Sequence, residues 1–112
     1  EDIVEILNVI DCVLLTSVTE GLPTVVIESY SQRKIAISTI CGGVQEIIRD
    51  PVFLAPSNDK KLIKKRIDFF LNLSSDESNF FLEKNYNLFL TEFHVKIMIK
   101  NFFEAYKEVL SA

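Results

Sequence analysis

Apolar positions recur with two alternating periods up to Pro56 and with a single helical period beyond it. Ile3, Ile6, Leu7 and Ile10 stand at helical spacing, which predicts the end of an amphipathic helix over residues 2 to 10. Cys12-Val13-Leu14-Leu15-Thr16 follows as a short, nearly unbroken apolar run. Such a run suits a strand covered on both faces by helices in a parallel sheet. Polar residues and Gly21 predict a loop, and Pro23 suits a first helical position, opening a helix over 23 to 32. Ile35-Ala36-Ile37-Ser38 reads as a second strand and Gly42-Gly43 as a turn. A brief helix from Val44 to Arg49 and a third strand at Val52-Phe53-Leu54 complete the alternation. Helix and strand in strict alternation predict an α/β fold with a doubly wound parallel sheet.

After Pro56 the pattern predicts helices over about 59 to 73, 76 to 90 and 92 to 110, with Ser75 as a candidate cap at the Ser74-Ser75 break. Phe93, Ile97, Phe102, Tyr106 and Val109 form a stripe on the last helix that reads as core. Three strands make a thin sheet, so half of a domain is expected. Glu1 opens the chain in mid-helix without a Met, which points to a fragment of something longer.

Composition narrows the class. The 112 residues are 48% apolar and 25% charged, which is ordinary for one globular domain and unlike a disordered chain. The net charge is −4, and no basic patch interleaves with aromatics, which argues against nucleic acid. Lys60, Lys61, Lys64, Lys65 and Arg66 are the one basic cluster. Most of it falls opposite Leu62, Ile63 and Phe70 on a helix, as a solvated face does; weak attraction to an anionic membrane surface is the alternative. Cys12 and Cys41 lack metal-ligand spacing and read as reduced thiols of a cytoplasmic protein. No apolar run reaches the length that spans a bilayer.

The stretch that carries chemistry is Thr19-Glu20-Gly21-Leu22-Pro23-Thr24-Val25-Val26-Ile27-Glu28. It runs from the carboxyl end of a buried strand into a helix, where open α/β sheets bind ligands. The helix N-terminus offers unpaired N–H groups and the positive end of its dipole to a phosphate or diphosphate. Gly21 leaves room for close approach. Thr24 and Glu28 lie four apart on one helical face, so Glu28 is placed to accept hydrogen bonds from two vicinal ribose hydroxyls. Glu20 stays at the phosphate end, beside a transferred group. Each feature alone also fits a solvated acid or an ordinary helix entry; their combination favours a site.

Glu20 and Glu28, with seven residues between them, match the EX7E signature of retaining GT-B glycosyltransferases of the family 4 (group 1) type. Glu20-Gly21-Leu22-Pro23 with Val25-Val26-Ile27-Glu28 resembles its commonest form, and Gly42-Gly43-Val44-Gln45-Glu46-Ile47-Ile48 resembles the glycine segment that follows in register. Leu54-Ala55-Pro56, Asp59 and the helix bearing Leu62 and Ile67 continue the likeness. The chain departs from the family in three places. Tyr30 to Ile35 replaces small residues and a Gly-x-Pro, Gln45 replaces a proline, and Arg49-Asp50-Pro51-Val52 is short and lacks glycines.

The resemblance implies the C-terminal half of a GT-B C-terminal, Rossmann-like domain, alternating α/β over about 1–73 with terminal helices over about 76–110. It implies transfer of a sugar (a hexosyl group) from a nucleotide-diphosphate sugar to an acceptor with retention of configuration, as in polysaccharide biosynthesis. Glu20 takes the catalytic position at the donor sugar and Glu28 the ribose. Gly21, Leu22, Pro23, Thr24 and Val25 line the diphosphate. No metal or other cofactor is implied. The acceptor domain, with its catalytic histidine, would lie before residue 1, so turnover by these 112 residues alone is not expected, and His94 is not assigned that role. A cytoplasmic enzyme, peripheral to the inner face of a membrane, fits the same picture. A non-catalytic nucleotide-binding or interaction module with this fold is the competing reading.

Overall fold

The computed structural model describes residues 3–17, 21 and 23–111. Three parallel strands, β1 (Cys12–Leu15), β2 (Ile35–Ile40) and β3 (Leu54–Pro56), form one sheet in the order β1-β2-β3. Cys12 pairs with Ile35 and Leu15 with Ser38, while Ser38 pairs with Leu54 and Ile40 with Pro56. The helices are α1 (Ile3–Val9), α2 (Thr24–Ser31), α3 (Val44–Ile47), α4 (Lys60–Leu71), α5 (Ser75–Leu88) and α6 (Val95–Ser111). Each sheet connection runs through a helix, as parallel pairing requires. The α/β fold with a doubly wound type of parallel sheet, expected from the alternation, is the observed one.

Central position explains β2. It pairs on both sides, and its residues from Ile35 to Thr39 are all buried, including the hydroxyl-bearing Ser38 and Thr39. Buried hydroxyls need partners. Ser38 donates to the Thr39 carbonyl at 2.7 Å, and Thr39 donates to the Ser17 carbonyl at 2.6 Å. β1 is less enclosed than its apolar sequence predicts: Cys12 is half-buried and Leu14 is 48% exposed. The reason is positional, since β1 lies at one edge of the sheet.

α2 and α5 pack together over β2, and α4 packs over β3 and β2. Between them sits Phe53, edge-on to Phe69 of α4 at 5.9 Å and to Phe81 of α5 at 5.0 Å. Val26, Tyr30, Ile37, Ile47 and Ile48 complete a core with almost no solvent contact.

Several element bounds differ from the sequence expectation. Val52-Phe53 belongs to a 3-10 turn (Pro51–Phe53), and the third strand begins only at Leu54. Pro51 lacks an N–H for a ladder, and the Asp50 side chain accepts the Val52 N–H, so a turn satisfies this backbone better than a strand. The cap of α5 is Ser74, not Ser75. Ser74 Oγ accepts from the Glu77 N–H and Glu77 accepts from the Ser74 N–H, a reciprocal capping box. Pro23 is the cap residue of α2 and not its first helical residue.

A five-residue π turn (Phe89–Phe93) separates α5 from α6. The stripe read as core on the last helix is solvent-facing for the most part. Phe102, Tyr106 and Val109 are 69%, 55% and 75% exposed, and only Phe93 and Ile97 are half-buried. Helical spacing identifies an apolar face but not whether anything covers it.

Candidate functional site

The site is built at the carboxyl edge of β1 and β2. Leaving β1, the chain is held down by β2: Thr39 Oγ1 donates to the Ser17 carbonyl, and lies 3.5 Å from that of Leu15. Residues 18–20 and 22 lie outside the described residues, so Thr19, Glu20 and Leu22, each named from the sequence, cannot be placed in this geometry. Gly21 is placed, and its carbonyl accepts the N–H of Gly43 at 3.1 Å. This one bond joins the loop before α2 to the glycine turn before α3.

Each glycine has its own reason. Gly42 has φ +50°, in the left-handed region where a side chain is strained. Gly43 caps α3 and gives its N–H to Gly21. A Cβ placed on Gly21 meets nothing within 4 Å among the described residues. Packing among the described residues therefore does not require glycine at 21.

α2 begins with the Pro23 carbonyl accepting from Val26, and no side chain among the described residues caps its first turn. The amides of Thr24 and Val25 precede the first intrahelical bond and have no acceptor among the described residues, with the dipole's positive end toward the loop. Pro23 and Val26 are buried and anchor this turn. Val25 is half-buried, and Thr24 is exposed. One turn on, Glu28 is half-buried, and its carboxylate has no ion pair or hydrogen bond among the described residues. Thr24 and Glu28 share a helical face, as their spacing predicts. The structure thus brings together Gly21, Pro23, Thr24, Val25 and Glu28 from the sequence-derived set, and adds Gly43 and Thr39. Thr39 was missed because a buried threonine on a strand carries no outward sequence signal.

Other candidates take structural roles. His94 Nδ1 accepts the Lys96 N–H at 3.1 Å at the start of α6, and its ring lies edge-on to Phe89. Arg66 leaves the expected solvated basic face: it is half-buried and donates to the Leu54 carbonyl at 2.9 Å. Lys60, Lys61, Lys64 and Lys65 are exposed, as expected. Burial first, with a smaller contribution from Asp11, pushes the Cys12 thiol up to about 11, against reactivity at neutral pH. Among the described residues no cluster of His, Cys, Asp or Glu has the makings of a metal site, and no helix is long and apolar enough to cross a membrane.

A parallel α/β sheet with two glycine turns joined at its carboxyl edge has the architecture in which open sheets hold ligands at their strand ends. The chain's family follows from the family model described as "Glycosyl transferases group 1", which matches residues 1–88. The chain belongs to that family of sugar-transferring enzymes. No curated protein and no solved structure matches it.

Proposed function

We propose that the chain forms one half of the donor site of a retaining, GT-B, family 4 glycosyltransferase. In this reading a nucleotide-diphosphate sugar lies across the mouth of α2. Its diphosphate rests on the amides around Leu22 to Val25, its ribose hydroxyls meet Glu28, and Glu20 faces the sugar near its reacting carbon. The donor's bond between that carbon and the diphosphate oxygen breaks, and the nucleoside diphosphate leaves with the electron pair. An acceptor hydroxyl bonds to the same carbon on the face just vacated and gives its proton to the departing diphosphate oxygen. Helix N-terminus and amides stabilise the charge that grows on the leaving group, so no metal is invoked. The acceptor and the groups that bind it belong to another domain of the same protein, and the enzyme works in the cytoplasm, against the inner face of a membrane where its acceptor is a lipid.

The observation that supports this most is the bond from the Gly43 N–H to the Gly21 carbonyl. It unites two segments that are distant in sequence around an open helix N-terminus. The ribose acid Glu28 stands one turn further along the same helix. The test is binding of a panel of uridine, guanosine and adenosine diphosphate sugars to the chain and to Glu28→Ala and Glu20→Ala variants. Binding that Glu28→Ala abolishes is the expected result. Binding indifferent to both variants would overturn the assignment.

A further inference from the structure

Between the end of α3 and the last turns of α5 lies a cavity of about 290 Å³, with Ile47, Arg49, Asp50, Lys84, Asn85 and Leu88 in its wall. It adjoins the end of α3 opposite Gly43, away from the joined glycine turns.

One side chain in this wall is anomalous. Asn85 is 8% exposed, and its buried side-chain N–H2 has no hydrogen-bond partner among the described residues. A buried donor without an acceptor bears the full cost of leaving water, which is why folded proteins contain few of them. An apolar residue would pack as well at this point of α5, so packing does not account for the amide. The terminal torsion of asparagine is broad, and the amide can turn its N–H2 toward an oxygen held in the cavity.

The rest of the lining adds donors and few acceptors. Lys84 Nζ stands 3.6 Å from an Asp50 carboxylate oxygen, too far for a hydrogen bond, so its N–H groups have no acceptor among the described residues. Asp50 is occupied in part, since its other oxygen accepts from the Val52 N–H. Arg49 spends its Nε–H on the Glu46 carbonyl and one N–H of each Nη on Glu92, which leaves one on each. The Thr91 hydroxyl donates to helix carbonyls. Charge is balanced, Arg49 by Glu92 and Lys84 by Asp50, so the cavity does not call for a polyanion such as a diphosphate. What it lacks is an acceptor. Ile47 and Leu88 give it an apolar side.

We infer that this cavity binds a small carboxylate, whose oxygens accept from Asn85 and Lys84 while its carbon body lies against Ile47 and Leu88. A carboxylate is favoured over a neutral carbonyl because its bond to Lys84 is charge-assisted. The volume stands near the lower bound of small-ligand sites, about 300 Å³, which suits a short carbon chain and not a nucleotide. The inference does not rest on the donor-site reading.

The experiment follows amide chemical shifts of the chain against propionate and lactate, with propionamide as the neutral counterpart and inorganic phosphate as a second anion. The expected result is saturable shifts at Ile47, Asn85 and Leu88 with both carboxylates, about tenfold weaker binding of propionamide, and none of phosphate at these amides. Asn85→Leu should abolish carboxylate binding. Leucine branches at the same carbon and leaves no unpartnered donor, so this variant should keep its fold. Lys84→Gln should weaken the carboxylates about five- to tenfold and leave propionamide unchanged. Should Asn85→Leu lower the unfolding midpoint, Lys84→Gln alone decides, because Lys84 is exposed and outside the core. The site is overturned if no probe shifts these amides saturably, which would leave Asn85 to an ordered water. It is overturned equally if phosphate or propionamide binds there as tightly as propionate, or if Lys84→Gln binds propionate as the parent does.

Discussion

Arg49 and Glu92 are joined by two parallel hydrogen bonds, of 2.7 and 2.9 Å, across 43 positions of the chain. The pair ties the end of α3 to the π turn between α5 and α6, and Arg49 also donates to the Glu46 carbonyl. Hydrogen bonding to Arg49 holds the Glu92 carboxyl below its ordinary range. A carboxylate depressed in the folded state contributes stability that is present above its unfolded pKa and lost as pH falls through the folded one. Glu92→Gln should therefore lower the unfolding midpoint at neutral pH, and the difference from the parent should vanish in acid. Both side chains are about half exposed, at 47% and 46%, so the effect is small and fades with salt. Thermal unfolding across the carboxylate range checks it; a difference that stays constant with pH would refute it.

Gly21 separates site from scaffold. Because a Cβ there meets nothing among the described residues, Gly21→Ala should leave stability within about 0.5 kcal/mol of the parent. Diphosphate affinity should nevertheless fall, since the added methyl occupies the space a phosphate would use. Gly42→Ala should do the reverse to stability, costing about 1 kcal/mol for its left-handed backbone. Denaturant midpoints and nucleotide titrations on the two variants read both effects.

Glu28 has a similarly specific signature. If it accepts both ribose hydroxyls, the chain should bind a nucleoside diphosphate about tenfold more tightly than the 2′-deoxy form. Glu28→Ala should bind the two equally weakly. A variant that weakens both ligands while keeping their ratio would move the ribose elsewhere.

Legibility in the sequence divides along physical lines. Period and length place the strand–helix alternation well, because a buried strand such as Ile35 to Ile40 and an uncapped helix after a glycine loop both leave marks in composition. The third strand was placed early, since Val52-Phe53 is as apolar as a strand; only the missing N–H of Pro51 and the Asp50 cap reveal a turn. The loop before α2 carries its two motifs in the sequence, yet the bond from Gly43 to Gly21 is tertiary and has no local signature. Partnership is the least legible property of all. Leu14 and the α6 stripe are written in the same alphabet as the core, and their exposure depends on what packs against them.

That distinction is measurable with two phenylalanines. Phe53 is 1% exposed and is held edge-on by Phe69 and Phe81, so Phe53→Ala removes a ring from a filled space. Such truncations cost about 3–5 kcal/mol, against a total stability of about 5–15 kcal/mol for a domain. Much of the chain should therefore be unfolded in this variant at ambient temperature. Phe102 belongs to the stripe that the sequence assigns to a core, but it is 69% exposed on α6. Phe102→Ala should change stability by no more than about 0.5 kcal/mol, as surface substitutions do. It should also reduce any self-association of the isolated chain, because contiguous exposed aromatic surface drives non-specific contact. Far-ultraviolet circular dichroism through a denaturant series, with light scattering on the same samples, compares the two. Comparable losses at both positions would mean that α6 is packed in solution and that its aromatic face is covered within the chain itself.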